Sequence, residues 1–436
     1  MKGVFIIIAL LLCAGSVFAQ DEEKSTQLGE AVVKAARVVD EIDGQTIYPT
    51  EAQRKATFDG YGILQLLALP GIRVDEAARS VTAIGGEGSV VLRINGIAVG
   101  RQEMISLDPK TISRIRFIDN PGVRYGEGVA YVIDIATRRT DVGFTLGVEA
   151  NPTLTAVQAD GAAYGKWRTG RHELSLSYNG GGYKLEGAQS TETADYTLND
   201  GSIYTIKRND ELTRRKQISN TAKLTYNRVD STAQVFQVSL SGSFNKTPGN
   251  RSVKAITDGL DCYTAMSTER GRGNSPVADL YYFRQITPRQ SITANAVGTY
   301  IFTKSYNYYD EGTAIINNVS GRSGSVLSEV IYENTLKPFT LSSGVNYRFK
   351  HTTNDYTGTA PAQTQMTNSA VYGFAEIKGR HKDFSYSLGA GGSYIHYRQS
   401  GHNYDYWTFC PKTTLAYRFK KKYQIKYTFS MRDRMS

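Results

Sequence analysis

From residue 141 to the end of the chain, apolar and polar positions alternate with a period of two. Phe236, Val238, Leu240, Gly242 and Phe244 fall on one face, and Gln237, Ser239, Ser241, Ser243 and Asn245 fall on the other. The same alternation sets His172, Leu174, Leu176 and Tyr178 against Glu173, Ser175, Ser177 and Asn179. It returns around Ile292–Phe302, Leu341–Phe349, Phe384–Tyr394 and Leu415–Phe419. Helical periodicity is absent there. Each run is about the ~10 residues that a tilted transmembrane strand requires, with aromatic residues towards its ends. A soluble sandwich shows similar alternation, but its inner face is a dry core, and here the second face is polar.

The preceding hundred residues are patterned differently. Phe58, Tyr61, Ile63, Leu64, Leu67 and Ala68 form a helical stripe closed by Pro70-Gly71. Residues 72–74 and 81–84 predict short strands, and residues 90–94 run through Asn95-Gly96, a hairpin signal, into a return strand at 97–99. Asp108-Pro109 predicts a helix N-cap followed by its first residue, and Arg114–Ile118 a half-buried strand. Turn chemistry then concentrates in Pro121-Gly122 and Tyr125-Gly126-Glu127-Gly128, before a strand from Val129 to Thr137.

That last unit resembles the end of the plug domain of TonB-dependent outer-membrane receptors. The resemblance rests on Arg114-Ile115-Arg116-Phe117-Ile118, Asn120-Pro121, Arg124-Tyr125-Gly126 and Val132-Ile133-Asp134-Ile135. Leu69-Pro70-Gly71-Ile72 and Leu92-Arg93-Ile94-Asn95-Gly96-Ile97 extend it to about residues 26–139. Where the family carries a Gly-Gly-Val step this chain has Val129-Ala130-Tyr131, which implies different packing of the plug core there. The fold implied is mainly β: an α+β plug at 36–140, then antiparallel transmembrane barrel strands at 141–436. Pro121, Gly122, Tyr125 and Gly126 mark the plug turn. Arg114, Arg116 and Arg124 are candidates for a latch to acidic groups on the barrel wall; a solvated strand face is the plain alternative.

The N-terminus reads as an export signal over 1–19: Lys2, an apolar run from Val4 to Leu12, and Val17-Phe18-Ala19 ahead of an acidic start. Residues 20–35 contain Leu28-Gly29-Glu30-Ala31-Val32-Val33, placed where the family carries its TonB box. An extended segment there adds as a strand to a periplasmic energy transducer of the TonB type and passes on the pull of its inner-membrane motor. An ordinary first plug strand accounts for it equally well.

Composition changes this picture little. The net charge of +10 comes from 51 basic and 41 acidic residues. The basic residues are scattered between strands, which argues against nucleic acid and suits outer-membrane lipid or lipopolysaccharide at the strand rims. No later stretch reaches the ~18 apolar residues of a membrane helix. Cys262 and Cys410 form no disulfide framework, leaving a single bridge or two separate thiols. The five histidines are dispersed, and no catalytic or metal-spaced cluster stands out. Gly85-Gly86-Glu87-Gly88 lacks the Lys-Ser/Thr of a phosphate loop. No enzyme, cofactor or metal site is therefore expected.

At about twenty residues per strand and connection, residues 141–436 hold on the order of fourteen strands, against ~22 in plugged transporters. A plug of this size is not expected inside a closed fourteen-strand lumen. The expectation is a C-terminally incomplete barrel. The function implied is active uptake of a scarce solute across the Gram-negative outer membrane, with the N-terminus in the periplasm. A metal chelate or cofactor-sized ligand fits better than a glycan, because the region before the plug is short. The competing expectation is a non-transporting binding or adhesion protein, or a defective receptor remnant. Ligand contacts are expected in polar loops at 186–215, 246–275 and 304–321.

Overall fold

The computed structural model describes residues 38–431, apart from 42, 77, 85–87, 120, 122–124, 126–128, 139–141, 154–156, 231–233, 260 and 420–422. The segment 28–33, together with Arg124, Gly122 and Gly126, lies outside the described residues.

The plug begins with β1 (Val38–Asp40), β2 (Gly44–Ile47) and the short helix α1 (Glu51–Lys55). Next come α2 (Gly60–Leu67), β3 (Ile72–Asp75), β4 (Ser80–Ala83), β5 (Ser89–Ile94) and β6 (Ile97–Ala98). Helix α3 (Arg101–Ile105) leads to β7 (Ile112–Ile118) and β8 (Val129–Thr137). Six strands form one sheet in the order β1-β2-β7-β8-β5-β6, with β5 and β8 parallel. Asp59 starts α2 by accepting from the Tyr61 and Gly62 amides, both at 2.9 Å. Phe58, expected inside the helical stripe, precedes this cap and is 91% exposed. Asn95 (φ 53°) and Gly96 (φ 83°) make the expected hairpin turn. The helix expected after Asp108 is a single 3-10 turn over Pro109–Thr111, because the apolar alternation of β7 takes over at Ile112.

Ile63, Leu64, Met104, Ile112, Ile115, Phe117, Ile133 and Ile135 fill a dry plug core. Burying each such side chain stabilises the fold by about 1.5–3 kcal/mol. Tyr131, at the position where the chain departs from the family step, packs against this core. Its ring stacks on Phe117, with centroids 5.5 Å apart. It also lies over Gly71, where a Cβ would sit 2.1 Å from the tyrosine hydroxyl.

The remainder is one antiparallel sheet. Its strands are β9 (Val142–Thr153), β10 (Val157–Thr169), β11 (His172–Glu186), β13 (Ile203–Asp230), β14 (Gln234–Asp258), β15 (Asp261–Thr287) and β16 (Gln290–Asp310). They continue with β17 (Ala314–Thr335), β18 (Phe339–Gly358), β19 (Ala362–His381), β20 (Phe384–Gln399), β21 (His402–Phe419) and β22 (Tyr423–Ser430). Each pairs with its neighbour in chain order, and β12 (Thr191–Thr197) adds a flap to β13.

The fourteen strands match the expected number, but their lengths do not: β13 to β19 run for 20 to 28 residues. The segments expected to be long loops are largely strand extensions, joined for example by the tight turn after Asp310. Backbone pairing continues in water past the apolar belt, so hydrophobicity underestimates strand length. Among the described residues β9 and β22 are each paired along one edge only. The sheet therefore need not obey the diameter rule of a closed fourteen-strand barrel, and the plug lies against one of its faces. Cys262 on β15 and Cys410 on β21 stand six strands apart and do not pair with each other.

Candidate functional site: the plug–wall interface

The register assigns the two faces of the sheet. One row carries Leu146, Leu176, Leu224, Leu240 and Val326 outward, each well exposed. The other face carries buried polar residues, among them Thr225, Gln237, Ser239, Ser342, Glu376 and Ser393. This inverts a soluble protein and suits a lipid-embedded sheet with a polar interior.

The plug meets this polar face through a few directional contacts. Lys223 on β13 ion-pairs with Glu103 of α3. Lys378 on β19 reaches Asp43 at 3.2 Å. Arg79, which caps Asp59 inside the plug, also reaches Glu149 on β9 at 3.5 Å. The Lys412 ammonium donates to the Pro121 carbonyl. Tyr281 donates to the Gly96 carbonyl at 3.4 Å, where Ile97 packs on Val235 and Tyr281.

Asp43 is the centre of the largest cluster. Arg116 holds it at 3.0 Å and holds Glu41 at 2.8 Å, so the plug arginine faces plug acids, and the wall contributes the cation Lys378. The expected latch polarity, plug arginine to wall carboxylate, is instead seen at Arg79, which the sequence reading passed over. Arg114 is exposed on β7 opposite Ala136. Tyr125 lies beneath the Arg93 guanidinium at 5.8 Å.

Burial pushes the Asp43 carboxyl up, but Lys378 and Arg116 outweigh it and hold the pKa below the ordinary value. Burial likewise opposes Glu103, and Lys223 overcomes it and lowers its pKa. The Arg116 pKa is lowered by burial and raised further by Asp43 and Glu41, for a net rise. All these groups are therefore charged at neutral pH. The positions that meet are 120 and 335 residues apart in the chain, which no motif spacing records. The available signal was Lys223 and Lys378 lying on the polar faces of their strands.

The wall itself holds buried acceptors. Asn227, Asn295, Asn346 and Glu376 each keep one side-chain oxygen without a hydrogen-bond partner among the described residues. Asn295, Glu329 and Asn346 are adjacent in register across β16, β17 and β18. Such oxygens call for water or a passing donor. No cluster of metal-ligating side chains occurs among the described residues.

Several solved outer-membrane receptors are similar to this chain. FpvA of P. aeruginosa, solved with heterologous pyoverdines, matches at 10% identity and a TM-score of 0.35, covering 88% of this chain and 70% of its own. FyuA, the ferric yersiniabactin uptake receptor of Yersinia pestis, matches at 10% identity and a TM-score of 0.37, covering 91% and 79%. BauA, the ferric preacinetobactin receptor of Acinetobacter baumannii, matches at 10% identity and a TM-score of 0.43, covering 88% and 63%. No protein-family model and no curated protein matches the chain.

Proposed function

We propose that the chain is a TonB-dependent outer-membrane receptor that moves a solute past a displaceable plug. The observation that carries this reading is the interface: a plug with its own dry core rests on a mostly polar wall through separate ionic contacts and one small apolar patch, Ile97 on Val235 and Tyr281. An interface of this kind releases while exposing little apolar surface, chiefly that of the Ile97 patch. The N-terminus faces the periplasm, since the strand extensions beyond the apolar belt belong outside.

The connectivity supplies a handle. Residues 28–33 precede, by four residues of sequence, β1, an exposed edge strand paired only with β2 among the described residues. Glu41 and Asp43 follow one and three residues beyond its last residue, Asp40. Tension on 28–33 peels β1 and loads the Asp43–Lys378 contact first. The solute is small, and the unsatisfied oxygens of the wall favour one that offers hydrogen-bond donors or carries water.

A tether tests this reading. With Glu103→Cys and Lys223→Cys combined, oxidation locks α3 to β13. Energy-dependent accumulation of a radioiron-loaded chelate, or of another solute from a panel of chelates and cofactors, is expected to stop on oxidation and return on reduction. Uptake that continues under a complete crosslink refutes plug displacement.

A further inference from the structure

The outward face of the sheet is not uniform. Between β14 and β18 it carries a groove of about 960 Å³ lined by Leu240, Tyr300, Val326 and Phe349, with Arg322 and His351 at one end. Its floor is made by Ala278, Gly298 and Gly324, consecutive or near neighbours in the outward register. These glycines are not demanded by backbone geometry. A Cβ on Gly298 would meet nothing within 4 Å, and one on Gly324 would meet only Tyr300, at 3.9 Å. Their effect is the groove itself.

Outward of the groove comes an aromatic collar of Phe244, Tyr300, Phe302 and Tyr306, and with it a row of cations. Lys246, Arg272 and Lys304 are direct partners on three neighbouring strands. Strands lie ~4.8 Å apart, so three like charges stand within about 10 Å, an arrangement that disfavours the sheet. Arg272 and Lys304 both approach the Phe302 ring, at 5.8 and 5.7 Å, and Arg270 approaches Tyr306 at 6.0 Å. All five cations, Arg322 included, are exposed, and among the described residues no carboxylate forms an ion pair with them. The carboxylates farther out on these strands are otherwise engaged: Asp310 accepts from Tyr308 and Asp355 from Gln363.

We infer that this wall binds a phosphorylated glycolipid of the outer leaflet, one acyl chain in the Gly298/Gly324 groove and its phosphate on Arg272, Lys304 and Arg322. Along the same strands the apolar groove gives way to a zone in which aromatic rings and uncompensated cations interleave, Arg322 level with Phe302, then Lys304 with Arg272, then Tyr306 with Arg270, as a lipid passes from its acyl chain to an interface that carries its phosphate. The inference rests on the membrane reading above and adds the ligand, the face and the residues.

The test uses the full chain purified in mild detergent and three probes: a diphosphorylated acyl glycolipid, the same lipid after phosphatase treatment, and inorganic phosphate. Two variants are compared with the native chain, Gly298→Leu/Gly324→Leu and Arg272→Gln/Lys304→Gln/Arg322→Gln. Strand content by circular dichroism checks that both fold. Native mass spectrometry is expected to show the phosphorylated lipid bound. Its affinity should fall at least about tenfold in each variant and on removal of the phosphates, the weight of one charge-assisted contact. Equal binding by either variant or by the dephosphorylated lipid overturns the inference, as does competition by inorganic phosphate at the lipid's own concentration. Fractionation of cell envelopes tests the membrane reading separately, because the binding measurement in detergent does not depend on it.

Discussion

The plug and the wall solve opposite problems with the same strands. In the plug, Ile115, Phe117, Ile133 and Ile135 turn inward and exclude water. In the wall, Leu146, Leu240 and Val326 turn outward, and the polar side of each strand turns inward. A dry core holds each plug element to the next, whereas a handful of charges and one small apolar patch at Ile97 hold the plug to the wall. The difference shows where the molecule is built to stay together and where it is built to part.

The largest expected effect lies inside the plug. Phe117→Ala removes a fully buried ring stacked on Tyr131 and should cost about 3–5 kcal/mol. In the detergent-solubilised chain this is read as a lower urea midpoint for protease protection of the plug. An outward substitution such as Leu240→Ala should leave that midpoint unchanged, and a comparable fall would break the contrast between the regions.

At the interface the effect should be smaller and of another kind. Asp43→Asn removes the charge shared by Arg116 and Lys378 and should weaken plug seating by about 1–3 kcal/mol, the range for charged hydrogen bonds. It should raise passive entry of a large antibiotic while the urea midpoint of the plug core stays near native. Arg116→Glu places a third carboxylate beside Glu41 and Asp43 and should leak more than Asp43→Asn. If neither variant leaks, the ionic contacts do not seat the plug.

Acid should separate the regions too. The folded-state pKa values of Asp43 and Glu103 are lowered, so their contribution is full above the ordinary carboxylate range and disappears as pH falls through the lowered values. Protection against hydrogen exchange at β1 and α3, corrected for the intrinsic pH dependence of exchange, should be flat around neutrality and fall only in strong acid, before protection of the β7–β8 core. Asp43→Asn should remove most of the response at β1. The smallest expected effect is at Lys184–Glu186, both near half exposed, where Lys184→Ala should change stability by less than about 0.5 kcal/mol.

Local pattern was enough to place α2, the Asn95-Gly96 hairpin, β7, β8 and the lipid-facing alternation, because each is set by which neighbours along the chain face water. It failed where polar strands continue beyond the apolar belt, as in the outer halves of β13 to β16, because hydrogen bonding holds a strand together with no apolar face to mark it. Arg116 stood out in the sequence, and its partners did not.

What the sequence by itself determined is therefore the kind of surface each strand carries: a dry plug, an apolar outside and a polar inside. Only the tertiary structure decided which charges meet, Lys223 with Glu103 and Lys378 with Asp43. It also aligned Gly298 with Gly324, and Lys246 with Arg272 and Lys304. The physical reason is register. A period of two fixes the face a residue occupies, but its cross-strand neighbour depends on every turn and bulge between them, and no local pattern contains that sum.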